Sequence, residues 1–314
     1  MGEVEMLDRG SGFVHHIGLV FANLWQALSQ PMAWLDWSNP EALARFIYYG
    51  ASSELFFVIL TLLLILTAVG LWRPGVMWGV VRGLEGFANA LGRAVAWIGL
   101  VMVLQQIMII FLQRIFRVAV IEFGPFAPFG YPLWNKLTLV SHDLSWWSEE
   151  LKLYNAMIVT LCVTYTFVQG GHVRVDLIYA NVSFRAKRVI DMLGSVLFMM
   201  TGSMMTWLFA WFFMWRSLIT PKVAASDTLE ALLRKSKLMK WNVETIGFSP
   251  NGFDAYFLFK ILLVTFAALV FLQAVAFFYR SLLELREGRE SEGRYLDHDK
   301  PGEQSTDAII HGTH

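Results

Sequence analysis

Apolar residues along this chain are gathered into long unbroken runs, not spaced at the three-and-four interval of a surface helix or the alternation of a half-buried strand. A helix needs about 20 mostly apolar residues to cross the hydrocarbon layer, with roughly 17 to 25 accepted. Five segments reach that length: residues 55–72, 94–113, 153–169, 192–215 and 256–279. The pattern predicts an all-α integral membrane protein of about five transmembrane helices, with amphipathic helices at the interface.

The few polar groups inside these runs set expectations for packing. Gln105, Gln106 and Asn155 have to meet protein or the interface, and hydrogen bonds between neighbouring helices are the expected outcome. The fourth run is rich in Gly, Ser and Met (LGSVLFMMTGSMMTW), and such small residues let a helix pack closely on a neighbour. In the fifth, Lys260 lies near enough to the start to reach the headgroups. Trp72, Trp97, Trp146, Trp147, Trp211 and Trp215 fall at span ends, where an indole keeps its ring in lipid and its N–H wet.

Arg73, Arg82 and Arg93 follow the first span while only Arg45 precedes it, which places that following segment in the cytoplasm. Five spans then leave the N-terminus periplasmic and the C-terminus cytoplasmic. The short loop holding Arg174, Arg185, Lys187 and Arg188 agrees with this orientation; the long loop 216–255, expected to be external, carries Arg216, Lys222, Arg234, Lys235, Lys237 and Lys240 and fits less well.

Outside the spans, residues 13–28 are apolar but hold His15, His16, Asn23 and Gln26, and are expected to lie in the interface in preference to forming a sixth span. Residues 1–12 are acidic and no small-residue cleavage site follows, so no cleavable signal is expected. Residues 118–148 are rich in Pro, Gly and Trp and read as an external connector. Asp227 with Glu230 has the spacing of a capping box. From Glu284 onward the chain is polar and charged and is expected to be a disordered cytoplasmic tail over 284–314.

Composition adds exclusions. Of 314 residues 56% are hydrophobic and 16% charged, with 25 basic against 25 acidic side chains. Soluble domains carry about 25% charged residues, and a balanced chain offers no basic footprint for nucleic acid. None of the seven histidines falls within a span, so transmembrane haem ligation lacks ligands. The single cysteine, Cys162, sits in an apolar run and reads as an inert buried thiol. No phosphate-binding loop, nucleophile elbow or zinc-ligand spacing occurs, so neither a cofactor, a metal nor an enzymatic activity is expected. The spans also lack a deep carboxylate, which argues against a stand-alone ion-coupled carrier.

The most specific local pattern is Gly170-Gly171-His172-Val173-Arg174-Val175-Asp176, followed by Ser183-Phe184-Arg185-Ala186-Lys187-Arg188. Two glycines permit a sharp exit from the membrane, Arg174 and Asp176 can pair at headgroup level, and Ser183 is suited to cap the returning helix. This string resembles the signature of the small membrane subunits of tripartite ATP-independent periplasmic (TRAP) transporters. Arg114 resembles the arginine that closes that family's first core helix. Trp146 with Glu149 and Glu150 resembles the Trp and Glu before the second, and the run ending in Lys260 resembles the entry to the last. The resemblance extends over about residues 94–285 and implies a four-span core at 94–283, preceded by an N-terminal extension over 1–93 that holds the span 55–72.

By that resemblance the chain would be a non-enzymatic inner-membrane subunit of a sodium-coupled, binding-protein-dependent transporter for organic anions. It would scaffold a large multi-span transport subunit and help to dock a periplasmic substrate-binding protein. Gly171, His172, Arg174, Asp176, Arg114, Trp146, Glu149, Glu150 and Lys260 would be its structural and interface residues. A membrane anchor for a redox or enzymatic complex is the alternative reading.

Overall fold

The computed structural model describes residues 13–118, 120–123, 139–169, 182–241, 253 and 255–296. Five helices in it are long and apolar enough to cross a membrane, as the sequence predicts: α4 (Ser53–Trp72), α5 (Pro74–Ile110, prolonged by a π turn Phe111–Ile115), α6 (Leu144–Val168), the rod formed by α7 (Phe184–Gly194), a π turn Ser195–Met200 and α8 (Thr201–Leu218), and α10 (Tyr256–Glu287). Three short N-terminal helices precede them: α1 (Phe13–Ser29), α2 (Met32–Leu35) and α3 (Pro40–Tyr49). A loop helix, α9 (Leu229–Ser236), lies between α8 and α10. Strand β1 (Val120–Phe123) pairs antiparallel with β2 (Leu139–Asp143), Val120 opposite Asp143, while β3 (Ile219–Thr220) pairs with β4 (Lys240–Trp241) and closes the neck of the α9 loop.

Helix α10 is the central post, in contact with α5, α6, α7 and α8. Of its most apolar window 39% is buried, against 11–17% in the other four spans, so those present most of their surface to the surroundings. Helix α4 packs on α5 and is tied to α10 where the Tyr279 hydroxyl donates to the Leu63 carbonyl at 2.8 Å. Helices α5 and α6 form a close pair because Gly92 lets the ring of Tyr165 rest on the backbone of α5; a Cβ there would overlap Tyr165 Cβ and Cγ.

Three helices exceed what the bilayer requires. At 1.5 Å per residue the 37 residues of α5 span about 55 Å, against a hydrocarbon layer of about 30 Å. The charge-free stretches stop at Arg93 in α5, Asp191 in α7 and Arg280 in α10, and the charged stretches beyond them converge where Glu85, Arg188, Arg280 and Glu284 meet. The surplus therefore projects at a single end of the bundle, the end where α10 finishes. Helix α5 also runs unbroken through residue 93, joining the expected extension to the expected core.

The opposite end is built from tryptophans. Helix α3 starts at Pro40, with the Asn39 side chain capping it by accepting from the Glu41 amide at 3.0 Å. Its Ala42, Leu43, Ala44 and Ile47 are buried against the C-terminal turns of α8 and against Leu232 of α9. The last four carbonyls of a helix have no partner within it. Here Gly50 N donates to Phe46 O, Trp211 Nε1 to Ile47 O at 2.8 Å, Ala51 N to Tyr48 O, and Ser52 N to Tyr49 O. Trp211 and Trp215, expected in the lipid interface, are 5% and 2% exposed because α3 covers them.

Other expectations need correction. Gln105 does bond between helices, but Gln106 and Asn155 are exposed. In the fourth span Ser195, Ser203 and Ala210 are buried, whereas a Cβ at Gly194 or Gly202 would meet nothing within 4 Å, so only one side of that run packs closely. The cap of α9 is Thr228, which accepts from the Ala231 amide; Asp227 instead accepts from Ala224 N at 2.8 Å and pairs with Lys235 Nζ at 2.6 Å. Ser183 stands at the cap position of α7 without a side-chain cap bond. The stretch expected to be disordered from Glu284 is ordered through Leu296, because Leu283 and Glu284 complete the buried face of α10 and the following residues fold back onto it.

Two outcomes are expected. Gly92→Ala forces α5 and α6 apart and costs about 1–3 kcal/mol, read as a lower melting temperature, while Gly99→Ala, whose Cβ would lie 3.8 Å from Ile158, leaves it unchanged. Burial pushes the Asp227 carboxyl up, but the hydrogen bond from Lys235, that from the Ala224 amide and the Lys235 charge outweigh it and hold its pKa below the ordinary value. The carboxylate therefore stabilises the loop above about pH 4, and that contribution is lost as pH falls through the lowered native value. Exchange of the Ala224 amide, corrected for intrinsic rates, should accelerate in that acid window, and Asp227→Asn should abolish the pH response.

Candidate functional site

At the end of the bundle where the long helices project, four elements bring charge together in a dry environment. Glu85 of α5 and Arg280 of α10 are each 6% exposed, and the guanidinium grips the carboxylate with both arms: Arg280 Nε donates to Glu85 Oε1 at 2.6 Å and Nη2 to Oε2. The third nitrogen, Nη1, donates to the Arg294 carbonyl at 3.0 Å and faces Glu284 Oε1 at 3.6 Å. Glu284, 2% exposed, also accepts from Gly293 N and holds Arg188 Nε at 2.9 Å through Oε2. Arg188 of α7 then reaches Asp191 Oδ2 at 3.2 Å and Glu292 Oε1 at 2.7 Å.

An aromatic lid borders the cluster. The Trp78 ring lies under Arg280, its centroid 5.4 Å from the guanidinium carbon, and its Nε1 donates to Glu287 Oε1 at 2.8 Å. Tyr295 meets Trp78 edge-on and lies between Arg82 and Arg294 at 4.8 and 5.0 Å. Two guanidinium groups thus face four carboxylates, one of them the half-exposed Glu292, so each buried ion has an oppositely charged partner, the condition for burying charge, although two formal negative charges remain in excess. Among the described residues no group of three or more His, Cys, Asp or Glu is arranged to hold a metal ion. The cluster joins helices α5, α7 and α10 to the chain beyond α10, and its chemistry is that of a fixed joint.

Next to it, Gln169 Nε2 donates to Asn89 Oδ1 at 3.2 Å, one turn from Glu85, and so anchors the chain as it leaves α6. The segment that departs from that point contains Gly171, His172, Arg174 and Asp176, all outside the described residues. It returns at Phe184, whose ring lies 5.1 Å from the Arg188 guanidinium carbon.

The other sequence-predicted residues lie at the tryptophan end. Trp146, Glu149 and Glu150 come together on the first turns of α6. Glu150 accepts from Gln105 Nε2 at 3.1 Å and from the Tyr154 hydroxyl at 3.0 Å, Glu149 accepts from Phe253 N at 2.9 Å, and Trp146 packs edge-on against the Phe253 ring at 5.1 Å. These bonds fix the start of α6 to α5 and to the chain entering α10. Arg114 is exposed in the π turn after α5, and Lys260 extends from α10 over the ring of Phe213 at 5.0 Å.

Residues 138–227 match the family model of the DctQ component of tripartite ATP-independent periplasmic transporters. The match takes in α6, α7 and α8, and with them Trp146, Glu149, Glu150 and the Gly171–Asp176 stretch; it leaves out Arg114, Lys260, Glu85 and Arg280. This stretch, under a third of the chain, is therefore similar to the small component of this transporter class, which is a class of transporter subunits and not of enzymes. Searches of curated proteins and of solved structures each return no match.

Glu85, Arg280 and Glu284 were absent from the sequence-based candidates, although the signal was present. Buried Met77, Trp78, Val81, Glu85, Ala88, Asn89 and Gly92 follow helical spacing upstream of the predicted span, and place Glu85 on its inner face. Removing one partner of a buried pair costs about 3–5 kcal/mol, whereas replacing both with apolar residues is often neutral. Arg280→Met is thus expected to lower the melting temperature sharply. Glu85→Leu combined with Arg280→Met should recover most of that loss, and equal damage in the single and double variants would show that the pair is not the joint.

Proposed function

We propose that this protein is the small integral subunit of a TRAP transporter in a bacterial inner membrane, where it serves as a rigid scaffold for a large multi-span subunit. The observation that carries the reading is the DctQ match over α6 to α8, within a bundle whose buried Glu85, Arg188, Arg280 and Glu284 are paired at one end. Sodium coupling and anion translocation belong in this reading to the large subunit, since the middles of the five spans hold no carboxylate. The end carrying the charged joint is cytoplasmic and the tryptophan end periplasmic, as the basic residues beside the short loops favour. The tryptophan end, with α3 and α9 packed onto it, then offers the surface on which a periplasmic binding protein delivering an organic anion docks.

Within this proposal His172, Arg174 and Asp176 set the turn between α6 and α7 and contact the large subunit. Gentle solubilisation of a tagged chain should bring down a larger polytopic protein; recovery of a soluble dehydrogenase in its place would overturn the assignment. Arg174→Glu and Asp176→Lys should each reduce recovery of that partner about tenfold or more, equivalent to about 1.4 kcal/mol, and reduce uptake with it. Full co-purification and normal uptake in both variants would remove the role given to these residues.

A further inference from the structure

We propose that α1 and α2 form an arm lying flat in the lipid headgroup layer at the tryptophan end of the bundle, with Trp25, Leu28 and Met32 turned towards the acyl chains. This rests on the chain being a membrane protein and not on the identity of any partner.

Between Phe13 and Leu35 the chain contains no Asp, Glu, Lys or Arg. Trp25, Leu28 and Met32 are 76%, 68% and 75% exposed; the three-residue spacing of Trp25 and Leu28 puts them on one side of α1, and Met32 opens α2 just beyond it. The opposite side of the arm is attached to the protein. Trp34 Nε1 donates to the Ala27 carbonyl at 3.0 Å, which folds α2 against α1, and the Trp34 ring stacks on Phe46 of α3. Trp37 packs on Phe46 and Trp215, Arg45 Nη1 donates to the Ala33 carbonyl, and α1 runs against α4. These exposed residues are thus held on a fixed base.

Three observations fix its depth. The 17 residues of α1 give about 25 Å, short of the roughly 30 Å needed to cross. The chain breaks at Gln30–Pro31 with Ser29, Gln30 and Pro31 exposed, and irregular backbone facing lipid does not occur within the hydrocarbon region. Arg45, paired with Glu41 at 3.7 Å, is level with α2, and such charges belong among headgroups. An indole with its ring in the acyl boundary and its N–H among headgroups is the preferred placement for Trp25.

The test uses the full-length chain with its only cysteine replaced, Cys162→Ser, and single spin labels introduced at Trp25→Cys, Leu28→Cys and Met32→Cys in phosphatidylcholine and phosphatidylglycerol nanodiscs. Leu100→Cys serves as the membrane-facing control. Relative accessibility to oxygen and to a polar nickel complex reports depth. All three arm positions should read just below the phosphates and agree within about 4 Å, whereas a crossing helix would separate 25 from 32 by about 10 Å. That gradient would overturn the proposal, as would labels inaccessible to both reagents, showing a protein cover, or labels fully exposed to water. Any one label whose variant keeps the melting temperature of the Cys162→Ser parent suffices to discriminate a headgroup position from cover or solvent.

Discussion

An arginine and a glutamate removed from water each carry a desolvation cost of several kcal/mol, recovered only when the two meet in good geometry with their remaining donors and acceptors filled. The bidentate contact of Arg280 with Glu85 fulfils that condition, and much of the bundle's arrangement follows from it. The contact fixes the register of α10 against α5, because a shift of one residue on either helix would turn one charge away from its partner. It places Glu284, one turn further, where it must find the second arginine, Arg188, and so sets α7. The chain after α10 then turns back, since the free Nη1 of Arg280 and the second oxygen of Glu284 require the Arg294 carbonyl and the Gly293 amide.

At the other end the same requirement is met with neutral groups. Helix α3 is only ten residues long, too short to be stable alone in water. Its apolar side is covered by Trp211 and Trp215, and its orphan carbonyls are taken up by indole and backbone N–H groups. Gly50 is needed because the indole of Trp211 occupies the space a Cβ would fill. The N-terminal region is consequently part of the folded unit: on α8 the Trp207 and Trp211 indoles donate to the Gly50 and Ile47 carbonyls, supplied some 160 residues earlier.

The five spans were legible because hydrophobic length is a property of sequence alone, and the Trp146, Glu149 and Glu150 cluster because a motif marked it. Glu85 escaped notice because it lies outside the charge-free window by which a span is recognised, although the helix does not end where that window does. Trp211 and Trp215 were assigned to the lipid interface for a related reason: composition indicates that an indole sits at a membrane boundary, but not that a short helix from elsewhere in the chain will cover it. The order of residues 284–296 was equally hidden, since Glu284, Gly293 and Arg294 look like a solvated tail until their partners on α7 and α10 are known. In each case the missing information was a contact between segments far apart in sequence.

The separation of Glu85 from Arg280 also bears on how the protein is made. Helix α5 emerges from the ribosome with its carboxylate on an inner face, and 195 further residues must follow before the guanidinium arrives. At about 5–20 residues per second, that interval is about 10–40 seconds. Throughout it Glu85 lacks that partner, so the joint between α5 and α10 is open until the last helix enters. A chain ending before α10 would retain an acid on the inner face of α5 without the arginine that pairs with it, so the bundle closes only when its last helix is made.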